Sequence, residues 1–106
     1  MRLLGTGVLT QLIEREEAQN PKQGAILREA LKAWRAEVRD ADWTKTTDVQ
    51  AQFSSADHVK NNRMVFNICG NKYRLVVQFN YRVPIARVKF AGTHKEYDAI
   101  ADITQI

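Results

Sequence analysis

The sequence predicts an α+β fold, in which two N-terminal helices pack on one face of a small antiparallel sheet and a short C-terminal helix follows. Apolar residues recur at helical spacing as far as about residue 39, and they alternate along the chain after residue 62. With 106 residues, 44% of them apolar and 26% charged, the chain has the size and composition of one globular domain. We therefore expect a single domain over residues 1–106.

The N-terminal part of the chain predicts a short strand and two helices. Residues 1–5 suit the strand, and an apolar stripe predicts a helix over residues 7–18. Asn20 suits the N-cap of a second helix, and Pro21 suits its first position because the N–H that proline lacks would be unpaired there. This second helix is expected to end near Arg39, with its apolar residues in the core.

The segment over residues 40–57 has no regular period, apart from one short helical turn over residues 49–53. Its Trp43 could cover the sheet or contact a partner protein, and the sequence favours neither. Trp34, by contrast, lies on the apolar stripe of the second helix and is expected in the core.

Three consecutive strands are predicted after Asn62. They cover residues 64–69, 73–81 and 85–91, joined by turns at Gly70-Asn71 and Arg82–Pro84. Such short turns join antiparallel neighbours, so the strands are expected to form a meander. Alternation assigns Arg74 of the middle strand to the face opposite Leu75 and Phe79. It divides the third strand in the same way, with Arg87 and Lys89 opposite Val88 and Phe90.

The residues after the third strand predict the start of a helix. Thr93 and Glu96 have the spacing of a capping box, in which each side chain accepts a hydrogen bond from the backbone N–H of the other residue. His94 and Lys95 then occupy the first two helical positions, where unpaired backbone N–H groups favour an anion.

Charge is distributed unevenly along the chain. Residues 58–95 contain eight Lys and Arg residues and no Asp or Glu. Residues 1–57, by contrast, contain eight Lys and Arg residues and nine Asp and Glu residues. The eight cations are Lys60, Arg63, Lys72, Arg74, Arg82, Arg87, Lys89 and Lys95. Because ordinary surfaces mix both signs, this segment indicates contact with phosphates or with an acidic protein, although a basic face without a ligand is the alternative.

The basic segment and the residues after it could carry out RNA cleavage without a metal ion. That reaction needs a base for the 2′-OH, an acid for the leaving 5′-oxygen and a cation for the phosphorane. His94 can exchange a proton near neutral pH, with Asp98 to orient its imidazole. Tyr97 could donate a proton or stack on a base, and Arg74 offers a guanidinium fork for phosphate.

Each of these residues also has a purely structural interpretation. Arg74 could pair with a carboxylate of an N-terminal helix, Tyr97 could be core, and His94 could be a capping residue. No metal or cofactor is expected, because the chain has one cysteine and its two histidines are far apart in sequence. Cys69, in mid-strand, is expected to be buried and inert. Without a signal peptide or membrane segment, we expect a cytoplasmic protein.

Two segments together resemble the HigB family, a group of mRNA interferases related in fold to RelE. They are the strand pair Asn62–Val76, with the letters VFNICGNKYRL, and the helix start Gly92–Asp98, with the letters GTHKEYD. The resemblance extends over about residues 43–101. This sequence departs from the family pattern at Cys69, where glycine is usual, and it has no basic C-terminal tail.

The resemblance implies a toxin of a type II toxin–antitoxin pair that enters the ribosome and cuts mRNA. Its partner would be a HigA-like antitoxin with a helix-turn-helix domain. Arg74 would stabilise the scissile phosphate, and His94 would be the acid or base, assisted by Lys95 and Tyr97. The expected RNA-binding residues are Lys60, Arg63, Asn71, Lys72, Arg87 and Lys89.

Two other functions remain open from the sequence. A toxin on the same scaffold could inhibit a protein target, as the ParE relatives act on DNA gyrase, and it would need no proton carriers. The second is a non-catalytic RNA-binding module, which would stack bases on aromatic side chains. The aromatic residues of the middle strand disfavour it because they share the expected core face; they are Tyr73, Phe79 and Tyr81.

Overall fold

The computed structural model describes all 106 residues and confirms the α+β class. Its elements, in chain order, are β1 (Arg2–Leu4), α1 (Gly7–Gln19), α2 (Pro21–Asp40), α3 (Thr46–Gln52), β2 (Asp57–Val59), β3 (Arg63–Ile68), β4 (Tyr73–Asn80), β5 (Ile85–Thr93) and α4 (His94–Asp98). The two long helices and the three long strands agree with the sequence prediction to within about two residues. None of the helices is apolar over a length that would cross a bilayer.

The sheet has five strands in the order β1-β5-β4-β3-β2. Neighbouring strands are antiparallel except for β1, which runs parallel to β5 with Leu3 paired to Ala86. The expectation of a wholly antiparallel sheet was therefore wrong at this edge. The two helices between β1 and the meander bring the chain back so that β1 and β5 point the same way.

The main core lies between the sheet and the pair α1 and α2. Trp34 of α2 is 2% exposed and meets Phe66 of β3 edge-on, with ring centroids 5.4 Å apart. Trp43, 5% exposed, packs between Phe53 and Phe79. Trp43 therefore covers the sheet, which decides between the two roles that the sequence left open. We call the sheet face beneath α1 and α2 the core face and the opposite one the outer face.

The segment over residues 40–57 contains more regular structure than its sequence predicts. The short helical turn expected at residues 49–53 is α3, which begins earlier at Thr46, and β2 pairs with β3 at the sheet edge. Asp48 accepts hydrogen bonds from the backbone N–H and the hydroxyl of Thr44, at 3.0 and 3.1 Å, and so holds the turn before α3.

A β-bulge in β5 changes which residues share a face. Val88 pairs with Val77 on the core face, but Phe90 pairs with Val76 on the outer face, so Lys89 is the extra residue between them. The prediction that Phe90 lies on the face of Val88 was therefore wrong. Period-two alternation fails after an inserted residue, because every later side chain changes face.

The outer face is itself partly covered. Val65 and Val76 are 2% and 0% exposed although α1 and α2 lie on the other side of the sheet. Two hydrogen bonds tie the last residues of the chain to this face: the Asn61 amide donates to the Thr104 carbonyl at 3.0 Å, and the Arg63 guanidinium donates to the Ile106 carbonyl. We call residues 99–106 the C-terminal segment.

The turn between β3 and β4 has a backbone conformation at position 69 that favours glycine. Cys69 has φ +55° and Gly70 has φ +69°, both in the left-handed region. β3 ends at Ile68, so the expectation that Cys69 lies in mid-strand was wrong. Its thiol is half-buried, and this burial raises the pKa of Cys69, which agrees with an inert thiol.

We expect Cys69→Gly to raise the free energy of unfolding by up to about 1 kcal/mol, because it relieves the left-handed strain of a side-chain-bearing residue. The gain is limited by the lost packing of the half-buried thiol. Urea denaturation monitored by tryptophan fluorescence would measure it. Cys69→Ala is the matched control, since it removes the thiol but keeps the strain; equal stability changes in both variants would contradict this explanation.

Candidate functional site

Arg74 lies on the outer face in the middle of the sheet. It pairs in register with Asn67 of β3 and Gly92 of β5. Its guanidinium carbon is 4.9 Å from the ring centroid of Tyr97, and no carboxylate lies within 4.0 Å of its nitrogens. Arg74 therefore does not pair with an acid of an N-terminal helix, and its positive charge has no anionic partner.

The start of α4 is fixed by both hydrogen bonds of the predicted capping box. The hydroxyl of Thr93 accepts from the Glu96 N–H at 3.1 Å, and the Glu96 carboxylate accepts from the Thr93 N–H at 2.9 Å. The backbone N–H of His94 donates to the carbonyl of Lys72 at 3.0 Å. These bonds hold the first turn of α4 against the beginning of β4, two residues from Arg74.

His94 and Asp98 lie side by side along α4. Nδ1 of His94 is 2.8 Å from Oδ2 of Asp98, and 42% of the His94 side chain is exposed. The two side chains are in close contact, but they do not have the alignment of a hydrogen bond. The orienting role of Asp98 therefore stays a prediction.

The ring of Tyr97 lies between the Arg74 guanidinium and Phe90. The centroids of Tyr97 and Phe90 are 6.5 Å apart, a contact that depends on the bulge that turns Phe90 to the outer face. Gly92 is required beneath them, because a Cβ atom there would lie 2.6 Å from the Phe90 ring. Tyr97 is half-buried on the outer face and is not part of the core cluster.

An ion-pair network from α1 holds this region from the other side. Arg15 donates two hydrogen bonds to the Glu96 carboxylate, at 2.8 and 2.6 Å, and these lower the pKa of Glu96. The Tyr73 hydroxyl donates to Glu16 at 2.7 Å. Sequence reasoning missed both contacts, because nothing in the local pattern of α1 indicates which distant residue its charges meet.

Burial, together with the hydrogen bond to Glu16, raises the pKa of Tyr73 to about 12. Because the folded protein favours the neutral phenol, this stabilisation is present below pH 10 and is lost as pH rises from about 10 towards 12. We expect Tyr73→Phe to lower the free energy of unfolding by about 1 kcal/mol at pH 7. We also expect the variant to lose less stability than the wild type above pH 10.

Urea denaturation of both proteins at a series of pH values from neutral to alkaline would measure this difference. Comparison with the wild type removes the contribution of the other groups that ionise at high pH. Parallel stability curves for the two proteins would contradict a role for the Tyr73–Glu16 hydrogen bond.

The predicted site residues fall into two groups. One group lies at the junction of β4, β5 and α4 and consists of Asn71, Lys72, Arg74, His94, Lys95 and Tyr97. Within it, the ammonium of Lys72 donates to the Gln23 side chain at 2.9 Å, and Lys95 is exposed. We call this group the junction site.

The other group lies away from the junction site. Arg87 pairs with Gln78 towards the far end of β4, and Lys89 is the extra residue of the bulge. Lys60 is exposed in the turn before β3, whereas Arg63 is 7% exposed and donates to the carbonyls of Asn61 and Ile106. An RNA contact by Arg63 would therefore require the C-terminal segment to move.

The junction site is an open surface. Neither of the two sizeable grooves of the protein includes Arg74 or His94: one lies between α1 and α2, and the other lies near Tyr81 and Arg87. No three His, Cys, Asp or Glu side chains cluster in a way that could hold a metal ion. The side chains of the site can supply proton transfer through His94 and positive charge through Arg74.

Comparison with known proteins identifies the family. The model of the HigB toxin family, described as a RelE-like toxic component of a toxin–antitoxin system, matches residues 27–100. This range is more than half of the chain and includes Arg74, His94 and Tyr97. A search of curated proteins found no match. The family match confirms the resemblance seen in the strand pair and the helix start, and the chain belongs to the HigB family of toxins from toxin–antitoxin systems.

Proposed function

We propose that this toxin is an endoribonuclease that cleaves mRNA on the ribosome, using the 2′-OH of the RNA as the nucleophile. The observation that carries the proposal is the junction site itself: an unpaired guanidinium in contact with Tyr97, and an imidazole beside a carboxylate on the same short helix as Tyr97. RelE-like HigB toxins are generally ribonucleases, which supports the same reaction.

Each step of the reaction has a candidate group. The 2′-oxygen attacks the adjacent phosphorus as its proton passes to a base, and we propose the imidazole of His94 as that base. Arg74 stabilises the extra negative charge of the phosphorane. The bond to the 5′-oxygen then breaks and that oxygen takes a proton, which the Tyr97 hydroxyl can supply. The products are a 2′,3′-cyclic phosphate and a 5′-hydroxyl end.

The open surface of the junction site suits a strand that is presented by another molecule. A ribonuclease that acts alone has to hold its substrate in a cleft, whereas the ribosome holds mRNA extended and fixed. We propose that Asn71 and Lys72, in the turn before β4, and Lys95, at the start of α4, contact the phosphates on either side of the scissile bond. For this contact the Lys72 ammonium has to leave the Gln23 side chain. As a toxin component the protein has an antitoxin partner, for which we propose a HigA-like helix-turn-helix protein.

The test is cleavage of a defined mRNA by the purified protein, with and without programmed ribosomes. We expect cuts in phase with the codons, only when ribosomes are present, with 5′-hydroxyl ends. The double variant Arg74→Ala, His94→Ala should leave the mRNA intact. The matched control is Arg2→Ala, His58→Ala, which removes one exposed cation and one exposed imidazole outside the junction site.

Toxicity in cells with intact mRNA would contradict the proposal. If the double variant also remained fully toxic, a protein target such as that of the ParE relatives would explain the result. RNA binding with no strand scission in the presence of ribosomes would instead indicate a non-catalytic module.

A further inference from the structure

A groove of about 530 Å³ lies between α1 and α2, on the helical layer and away from the junction site. Four cations of α2 line it, and they are Arg28, Lys32, Arg35 and Arg39. Their spacing of four, three and four residues sets them on one stripe of the helix, about 16 Å long. Ile13 and Leu31 lie at its base, where they are almost fully buried. We call this the cationic groove.

The charges of the cationic groove are poorly matched within the protein. Arg28 pairs with Glu17 at 2.7 Å, but no carboxylate lies within 4.0 Å of the other three cations. Glu29 is the one acidic side chain among the lining residues. Burial, and the nearby charges of Arg39 and Arg28, lower the pKa of Arg35.

Arg35 shows the same deficit in its hydrogen bonds. Its Nε atom is buried and has no partner, and its one hydrogen bond is from Nη2 to the carbonyl of Thr6 at 3.3 Å. A guanidinium with a buried, unpaired N–H among other cations gains free energy when a carboxylate arrives, because both its charge and its donor are then satisfied. The groove is therefore organised for an anionic ligand.

We infer that the cationic groove binds an acidic amphipathic helix of a protein partner. A third helix laid along this stripe can cover the carbon stems of the lysine and arginine side chains with its apolar residues. Carboxylates on that helix at the spacing of the four cations would meet them along the whole stripe. The surface is one of recognition and does not depend on the nuclease reaction, since α1 and α2 lie on the core face and Arg74 on the outer face.

The chemistry of the groove favours a protein over RNA. No aromatic side chain lines it, so a nucleotide base would find no ring to stack on. Carboxylates on one face of a second helix have the same spacing as the four cations, and the carbon stems of the cations can meet the apolar residues of that helix. Lys32 and Arg39 are exposed at the rim, where replacing their bound water by a carboxylate costs little free energy of desolvation.

The probe is a synthetic helical peptide of about four turns, with glutamates at the spacing of the four cations and leucine on the adjoining stripe. Fluorescence anisotropy would measure its binding to the full-length protein, and a scrambled peptide of the same composition would be the reference. We expect the double variant Lys32→Glu, Arg39→Glu to weaken binding by about tenfold or more. The control variant Lys22→Glu, Lys45→Glu, with the same change in net charge, should stay within about twofold of the wild type.

Two results would overturn the inference. One is equal binding of the ordered and scrambled peptides, or no binding of either, since the groove would then not recognise a helix. The other is a groove variant that no longer binds a short single-stranded RNA but binds the ordered peptide as tightly as the wild type does. A variant that loses mRNA cleavage but still binds the peptide would count against the nuclease function alone. A variant that loses peptide binding but still cleaves mRNA would concern the groove alone.

Discussion

Replacing Arg74 by alanine is expected to lower the rate of mRNA cleavage by about 10²- to 10³-fold, because the phosphorane would lose its fixed positive charge. Arg74→Lys should restore little of this rate. The guanidinium carbon lies over the Tyr97 ring, 4.9 Å from its centroid, and a lysine ammonium cannot offer two parallel donors from that position. Single-turnover cleavage on programmed ribosomes would measure both variants.

The control for Arg74 is Arg2→Ala, which removes an exposed cation from the edge strand β1. The free energy of unfolding of each variant should be measured beside its rate, because Arg74 is half-buried and its loss removes packing as well as charge. An Arg74→Ala protein that folds normally and cleaves at the wild-type rate would rule out the proposed role of this guanidinium.

His94→Gln is expected to slow cleavage by about 10²- to 10⁴-fold, the range for loss of a general acid or base. Glutamine keeps a polar side chain beside Asp98 but cannot exchange a proton. Asp98→Asn should have a smaller effect, because it removes only the carboxylate that holds Nδ1 at 2.8 Å.

His58→Gln is the matched control, since His58 is exposed on β2 and outside the junction site. Cleavage by His94→Gln at the wild-type rate would show that another group exchanges the proton. In that case Lys95 or Tyr97 would be the next residue to substitute.

Much of the fold was predictable because its signals are local. Asn20 caps α2 by accepting from the Gln23 N–H at 3.2 Å, directly before Pro21, and the capping box of α4 has both of its expected bonds. The turn residues between the strands fixed the antiparallel meander. The junction site was predictable in part for the same reason, since Asp98 meets His94 across one turn of a single helix.

The remaining features depend on residues that are far apart in sequence. Nothing near Leu3 indicates that it pairs with Ala86, and nothing in α1 indicates that Arg15 holds Glu96. The bulge at Lys89 was missed because an inserted residue leaves no mark in an alternating pattern until a partner strand is known. The sequence of the basic segment also does not indicate that the Arg63 guanidinium is hydrogen-bonded to the carbonyl of Ile106.

The order of the strands has a consequence for synthesis of the protein. β1 is made before the other four strands of the sheet and finds its neighbour only when β5, the last of the five, has been made. α4 follows β5 without a break, so completion of the sheet and assembly of the junction site are one late event. A nascent chain is therefore expected to stay inactive until β5 and α4 have left the ribosome, and a partner protein already in the cell can bind as soon as they fold.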